Sequence, residues 1–195
     1  MEKLVSRRTL IAGACTIGAS FLVGGLAFAS EGDNACLRPP GAQDYSHFNS
    51  TCIRCNRCVS VCPQNCLRFG TLEEGILAYR TPILDFHKGI CDFCGKCEYT
   101  CPTGAITNIS EGASAIGTAV VDAHRCIAYL GRGCNVCADA CIYSAISLND
   151  AGCPVVDAAL CNGCGRCENK CPSNVYLTYG GDNLRGINVQ PAQEA

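Results

Sequence analysis

Cys52-Ile53-Arg54-Cys55-Asn56-Arg57-Cys58-Val59-Ser60-Val61-Cys62-Pro63 sets three cysteines two residues apart, then a fourth three residues later, then a proline. A second copy runs through Cys91, Cys94, Cys97 and Cys101-Pro102, and a fourth through Cys161, Cys164, Cys167 and Cys171-Pro172. Between them lies a stretched third copy, Cys126-x7-Cys134-x2-Cys137-x3-Cys141, followed by Ile142 in place of proline. First cysteines at 52, 91, 126 and 161 are 39, 35 and 35 residues apart, so the chain is an internal repeat. The flanks repeat too. Val120-Val121-Asp122-x3-Cys126 matches Val155-Val156-Asp157-x3-Cys161, with a looser Ile83-Leu84-Asp85 ahead of Cys91, and Ala105-Ile106-Thr107 matches Ala145-Ile146-Ser147 behind the motif. Each unit reads as a short strand, a cysteine loop, one or two helical turns, then a strand.

Three cysteines two residues apart wrap a loop around one face of a cubane, with backbone N–H groups aimed at its sulfurs; the fourth, next to proline, ligates the other cluster of a pair. That fourth cysteine is expected at the start of a helix, where proline's fixed φ suits the first turn. Sixteen of the 20 cysteines fit, enough for four [4Fe–4S] clusters. Other chemistries fit poorly. Zinc pairs its CxxC units across a longer loop, and a third cysteine two residues on is crowded out of a tetrahedral site. A disulfide across so short a loop gains little. No CxxC is followed by His, which excludes covalent haem, and His47, His87 and His124 are scattered loop residues rather than Rieske ligands.

If neighbouring motifs pair, Cys52, Cys55 and Cys58 share a cluster with Cys101, and Cys91, Cys94 and Cys97 with Cys62. Likewise Cys126, Cys134 and Cys137 join Cys171, and Cys161, Cys164 and Cys167 join Cys141. The short chain between pairs favours this scheme; the alternative nests motifs two and three inside one and four. A basic residue precedes the third cysteine in three motifs, Arg57, Lys96 and Arg166, while motif three has Val136. Positive charge near a cluster favours its more negative, reduced form, so the Val136 cluster is expected to be the hardest to reduce. Cys36, Cys66 and Cys153 are left over. Cys66, four residues after Cys62, would face the same cluster as a small buried thiol. Cys36 and Cys153 could bridge, though nothing in the sequence brings them together.

Composition agrees with a core not built from large apolar side chains: 195 residues carry 20 Cys, 21 Gly, no Trp and one Met, with only 16% charged. Ser6-Arg7-Arg8-Thr9-Leu10-Ile11 opens a weakly hydrophobic Gly/Ala stretch ending in Ala27-Phe28-Ala29, uncharged between Arg8 and Glu31, which reads as a twin-arginine signal cleaved after Ala29. An uncleaved anchor is the alternative. Cys15 inside it is an apolar filler. Cleavage would remove Lys3, Arg7, Arg8 and Glu2, taking the net charge from −2 to about −4. A route that exports folded proteins suits a cofactor inserted in the cytoplasm. No basic footprint for nucleic acid is present.

These readings give an α+β fold: two tandem bacterial-type 2[4Fe–4S] ferredoxin-like units after the signal segment. The expected boundaries are 1–29 signal, 30–50 extension, 51–112 first unit, 113–180 second unit and 181–195 tail. With the signal, the motifs and Leu37-Arg38-Pro39-Pro40-Gly41-Ala42 taken together, the chain resembles the NapG/MauM group of exported ferredoxin-type proteins. The resemblance implies an electron-transfer subunit on the periplasmic face of the cytoplasmic membrane. It would take electrons from a quinol-oxidising membrane partner of the NapH type and pass them toward periplasmic nitrate reductase through cytochromes. The missing proline of motif three and the short tail after Tyr179 are departures. No Gly-rich phosphate loop or nucleophile–base pair suggests a substrate site of its own, so no enzyme activity is expected. Alternatives are an iron–sulfur subunit of another exported reductase, or an assembly factor for a periplasmic redox enzyme.

Overall fold

The computed structural model describes residues 36–107, 109, 115–173 and 185–191. The segment 1–29, with its expected signal and Cys15, lies outside them. The elements are short and mixed, as the cysteine loops demand. In the first half α1 (Tyr45–Thr51) and α2 (Arg57–Val61) precede β1 (Leu67–Phe69), β2 (Pro82–Leu84) and α3 (Lys96–Tyr99). The second half has β3 (Gly117–Val121), α4 (Val136–Ala140), β4 (Ile146–Leu148), β5 (Pro154–Val156), α5 (Arg166–Lys170) and β6 (Ile187–Pro191).

Every strand pair is antiparallel. β1 pairs β2 with Arg68 opposite Ile83, and β4 pairs β5 with Ser147 opposite Val155, so each hairpin joins two consecutive motifs. α2 packs on α3 and α4 on α5, which sets the helices of paired motifs against one another. The repeated Val-Val and Ile-Leu flanks are thus strands, as their β-branched character suggests. Ala105-Ile106-Thr107 is not. It runs as irregular chain, with the Thr107 N–H donated to the Gly41 carbonyl at 3.0 Å.

One sequence expectation is corrected. The fourth cysteine does not open a helix; it ends one. The helices begin at the residue before the third cysteine and stop short of the fourth, and Cys62, Cys141 and Cys171 cap them with extended backbone (φ/ψ −66/112, −81/104 and −61/121). A residue before proline is pushed away from the helical region, and proline has no N–H to continue the ladder. Cys141 takes the same form before Ile142, so the cavity it faces imposes the geometry as well.

The halves close differently. In the second, β6 returns from 187–191, past the 180 boundary expected from sequence, and pairs with β3 from Gly117 opposite Pro191 to Val121 opposite Ile187. Arg185 leads that strand in, its Nη1 donating to the carbonyls of Glu168, Asn169 and Cys171 at 2.7, 2.7 and 3.1 Å. A cation there satisfies the open C-terminal end of α5. The first half uses the 37–42 segment instead. Arg38 is buried, stacks 5.0 Å from the Phe48 ring centroid and donates to Thr81 Oγ1. The Leu37 carbonyl accepts from the Leu84 N–H at 2.8 Å, and Gly41, at φ +81, leaves the room a side chain would take from Thr107.

A single apolar cluster runs through both halves, from Phe48, Leu67, Leu84 and Phe86 to Ile116, Ile146, Ile187 and Val189. Eleven motif cysteines belong to it or pack against it, among them Cys58, Cys97, Cys137 and Cys167. No helix among the described residues is long and apolar enough to cross a membrane.

Candidate iron–sulfur sites

Each cysteine loop is wound by residues in the left-handed region. Arg54 and Asn56 have φ of 56° and 64°, Phe93 and Gly95 54° and 70°, and Gly163 and Gly165 74° and 75°. Alternating hands turn consecutive N–H groups toward one side, a concavity suited to anions and iron–sulfur groups. The N–H of Arg54 reaches the Cys52 sulfur, that of Phe93 reaches Cys91 and that of Arg166 reaches Cys164, while the Ala119 N–H lies 3.4 Å from Cys161 Sγ. Three of these positions are not glycine, and Asn56 is a residue type that tolerates this region. Arg54 and Phe93 carry backbone strain, which is held where a functional loop requires it. Motif three departs here as well: Gly133 has φ +63, but Asn135 lies at φ −124.

Four cavities result. The first is walled by Cys52, Cys55, Cys58 and Cys101; the second by Cys62, Cys91, Cys94 and Cys97. The third is walled by Cys126, Cys134, Cys137 and Cys171; the fourth by Cys141, Cys161, Cys164 and Cys167. Each cavity therefore takes three cysteines from one motif and one from its neighbour. Cys66 is a fifth thiol in the wall of the second cavity, 3.6 Å from Cys62. Thiols line the walls rather than meeting at a point: among the described residues no three His, Cys, Asp or Glu side chains gather around the position of a single ion.

The donor set suits a group that brings its own positive charge. Burial pushes the Cys58 and Cys97 thiols up to about 12 and Cys137 up to about 11, and raises Cys167 as well. Such thiols ionise when a cationic centre binds them. Cys101 runs the other way. Against the burial that would raise it, N–H groups of Thr103, Ile106 and Ala105 stabilise its thiolate and lower it. Cys66 is raised, first by its hydrogen bond to Cys91 and then by burial, and the same bond lowers Cys91. Arg57, Lys96 and Arg166 line the first, second and fourth cavities, as their place before the third cysteine implies.

The halves meet at the second and fourth cavities. In motifs three and four the first cysteine donates its N–H back to the repeated aspartate, Cys126 to Asp122 at 2.8 Å and Cys161 to Asp157 at 3.1 Å. Motif two is two residues longer at that point, from Asp85 to Cys91, and Cys91 donates instead to the Cys164 carbonyl at 3.0 Å. The added length places Phe86 over Gly165, where its ring occupies the space of an absent side chain, and Asn169 donates to the Phe86 carbonyl at 2.8 Å. His87 lies 3.5 Å from Glu168. Burial and the nearby Arg185 lower it, so it faces that carboxylate as a neutral imidazole at neutral pH.

Some residues that shape the sites carry no motif signal. Glu98 and Glu168, each directly after a third cysteine, accept the N–H of Ile109 at 3.1 Å and of Val189 at 2.7 Å, and so tie down the segment that closes each half. Their shared place in the repeat was the only clue. Burial raises Glu168, opposed by that N–H and by Arg185. Of the histidines, His47 and His124 are exposed and only His87 is partly buried. Cys36 and Cys153 lie in separate small apolar clusters, Cys36 with Ala78 and Ile83, Cys153 with Cys126 and Ala128.

Residues 51–105 match the family model of a 4Fe–4S dicluster domain, and residues 154–176 that of a 4Fe–4S binding domain. The class is a ferredoxin-type iron–sulfur protein. Similar proteins include the ferredoxin-type protein NapG of Escherichia coli, 36% identical over 69% of this chain and 65% of its own length. The methylamine utilization ferredoxin-type protein MauM of Methylophilus methylotrophus is 36% identical over 69% of this chain and 66% of its own, and E. coli NapF 34% over 70% and 80%. The chain belongs to this NapG, NapF and MauM family of ferredoxin-type proteins. It spans just under two thirds of the length of NapG and MauM.

Proposed function

We propose that the chain carries four [4Fe–4S] clusters, one per cavity, and conducts electrons between two partners without a substrate site of its own. The observation that carries this is the fourfold one: every cavity has four cysteine walls, three from one loop and one from the paired motif. When bound, such clusters supply one-electron chemistry. The chain's own residues orient the thiols, aim N–H groups at them and keep bulk water off their buried side.

Contacts between motifs support a route. Cys58 lies near Cys97 and Cys137 near Cys167, which sets the first cavity beside the second and the third beside the fourth. The Cys91–Cys164 hydrogen bond joins the second to the fourth. The spatial order is first, second, fourth, third, so the ends open to partners are the loops of motifs one and three. With the Ser6-Arg7-Arg8 segment as its signal, the chain would be exported by the twin-arginine route. It would receive electrons from a NapH-type quinol-oxidising membrane subunit and deliver them toward periplasmic nitrate reductase or its cytochromes.

Iron and acid-labile sulfide analysis of anaerobically purified protein should give about sixteen of each per chain. About eight would leave one half without clusters, and a colourless protein would overturn the reading. Within that reading, Arg166→Val should move one midpoint, that of the fourth cavity, to more negative potential in an EPR-monitored titration. Four unchanged midpoints would remove the role given to the basic residues and to Val136.

A further inference from the structure

The position four residues after the closing cysteine lies in the wall of a cavity in motifs one, two and three. After motif two it is Ala105, in the wall of the first cavity, and after motif three Ala145, in the wall of the fourth; both are buried. After motif one it is Cys66, 2% exposed, in the wall of the second. The corresponding Val175 lies outside the described residues.

A methyl group fills this place twice, so packing alone does not require a thiol. The thiol adds a donor. Cys66 Sγ stands 3.6 Å from Cys62 Sγ and within hydrogen-bond reach of Cys91, which are the closing cysteine contributed by motif one and the first cysteine of motif two. The cavity already has four cysteines, one per iron of a cubane, so a fifth has no corner left to bind. A hydrogen bond to a coordinating sulfur draws electron density off it and stabilises the more negative, reduced state.

We infer that Cys66 is a positioning residue that donates its single S–H hydrogen bond to one of the neighbouring sulfurs, Cys91 or Cys62, and thereby raises the reduction potential of the group held in the second cavity. The inference rests on the proposed function. It sets the second cavity, at the junction of the two halves, apart from the first and fourth by a single sulfur.

The test compares Cys66→Ala and Cys66→Ser with the unaltered holoprotein, prepared anaerobically, by iron content and EPR-monitored potentiometry. Alanine already stands at two equivalent places, so the first variant should fold. The expected result is unchanged iron in both, with one midpoint shifted to more negative potential in the alanine variant. That shift should be partly reversed by serine, whose hydroxyl still donates. Unchanged midpoints would overturn the inference, as would loss of about a quarter of the iron from the alanine variant, which would make Cys66 a ligand. Absence of iron from the unaltered protein would instead overturn the functional reading.

Discussion

The two halves are built on one repeat and solve two of its problems differently. The second half closes its outer edge with a sheet, β3 against β6, and turns its hairpin tightly, Asn149 Oδ1 accepting the N–H groups of Ala151 and Cys153 at 3.0 and 2.9 Å. The first half closes with a proline-rich segment clamped by a buried arginine. Its hairpin spreads into a loop from Gly70 to Thr81 that exposes Leu72, Ile76, Leu77 and Tyr79. What the halves share is the cysteine walls. The lesson is that the clusters' ligand geometry is the conserved specification within the chain, and the scaffold around it is replaceable.

Four experiments would break or sharpen that comparison. If the cavities are the common foundation, stripping the iron–sulfur groups by chelation under oxidation should unfold both halves together, a loss on the order of 10 kcal/mol as for structural metal sites. Far-ultraviolet circular dichroism and limited proteolysis would record it. A protected fragment from one half would show that its scaffold stands alone.

The next contrast is between equivalent glycines. Gly95 and Gly165 both precede a motif helix in the left-handed region, at φ +70 and +75. A side chain at 95 meets open space, whereas one at 165 would overlap the Phe86 ring. Gly95→Ala should cost about 1 kcal/mol from backbone strain alone. Gly165→Ala should cost about 3 kcal/mol, because the junction must also spread. Denaturant unfolding of the holoproteins measures both, and equal losses would remove the junction's role.

Arg38→Met should cost about 2 kcal/mol, since it keeps most of the packing on Phe48 but removes the donor to Thr81 and Pro82. The damage should be confined to the first half, visible as faster amide exchange at Leu84 and Thr107. Smallest is the Arg68–Glu74 pair on the first-half loop. The Arg68 guanidinium holds the Glu74 carboxyl below its usual range. A depressed carboxyl stabilises the fold above its unfolded value and loses that contribution as pH falls through the folded one. Glu74→Gln should therefore cost less than about 1 kcal/mol at pH 7, because both groups remain partly solvated, and progressively less as pH falls below the ordinary carboxyl range.

The cysteine sets and their neighbouring strands were legible because cluster ligation constrains spacing directly along the chain. The junction was not. Its cause is two extra residues before Cys91, visible in the sequence only as a looser flank, and what they do depends on Cys164, which comes close only after folding. The closing strand at 187–191 was likewise assigned to a tail, because its partner lies in β3, on the far side of two motifs. The helix placement failed for a local reason: proline after the fourth cysteine was read as a start signal, whereas it marks a stop.

The distance of β6 from β3 also sets an order in time. Apart from the junction with motif four, the first half's contacts among the described residues are complete once residue 109 is made, when Ile109 reaches Glu98. The second half must wait until 187–191 has left the ribosome before β3 acquires its partner. While the chain is being made, two cysteine cavities can be assembled and filled while the other two are still open at one side. Synthesis from the N-terminus therefore lets the first two sites close before the last two acquire their outer edge.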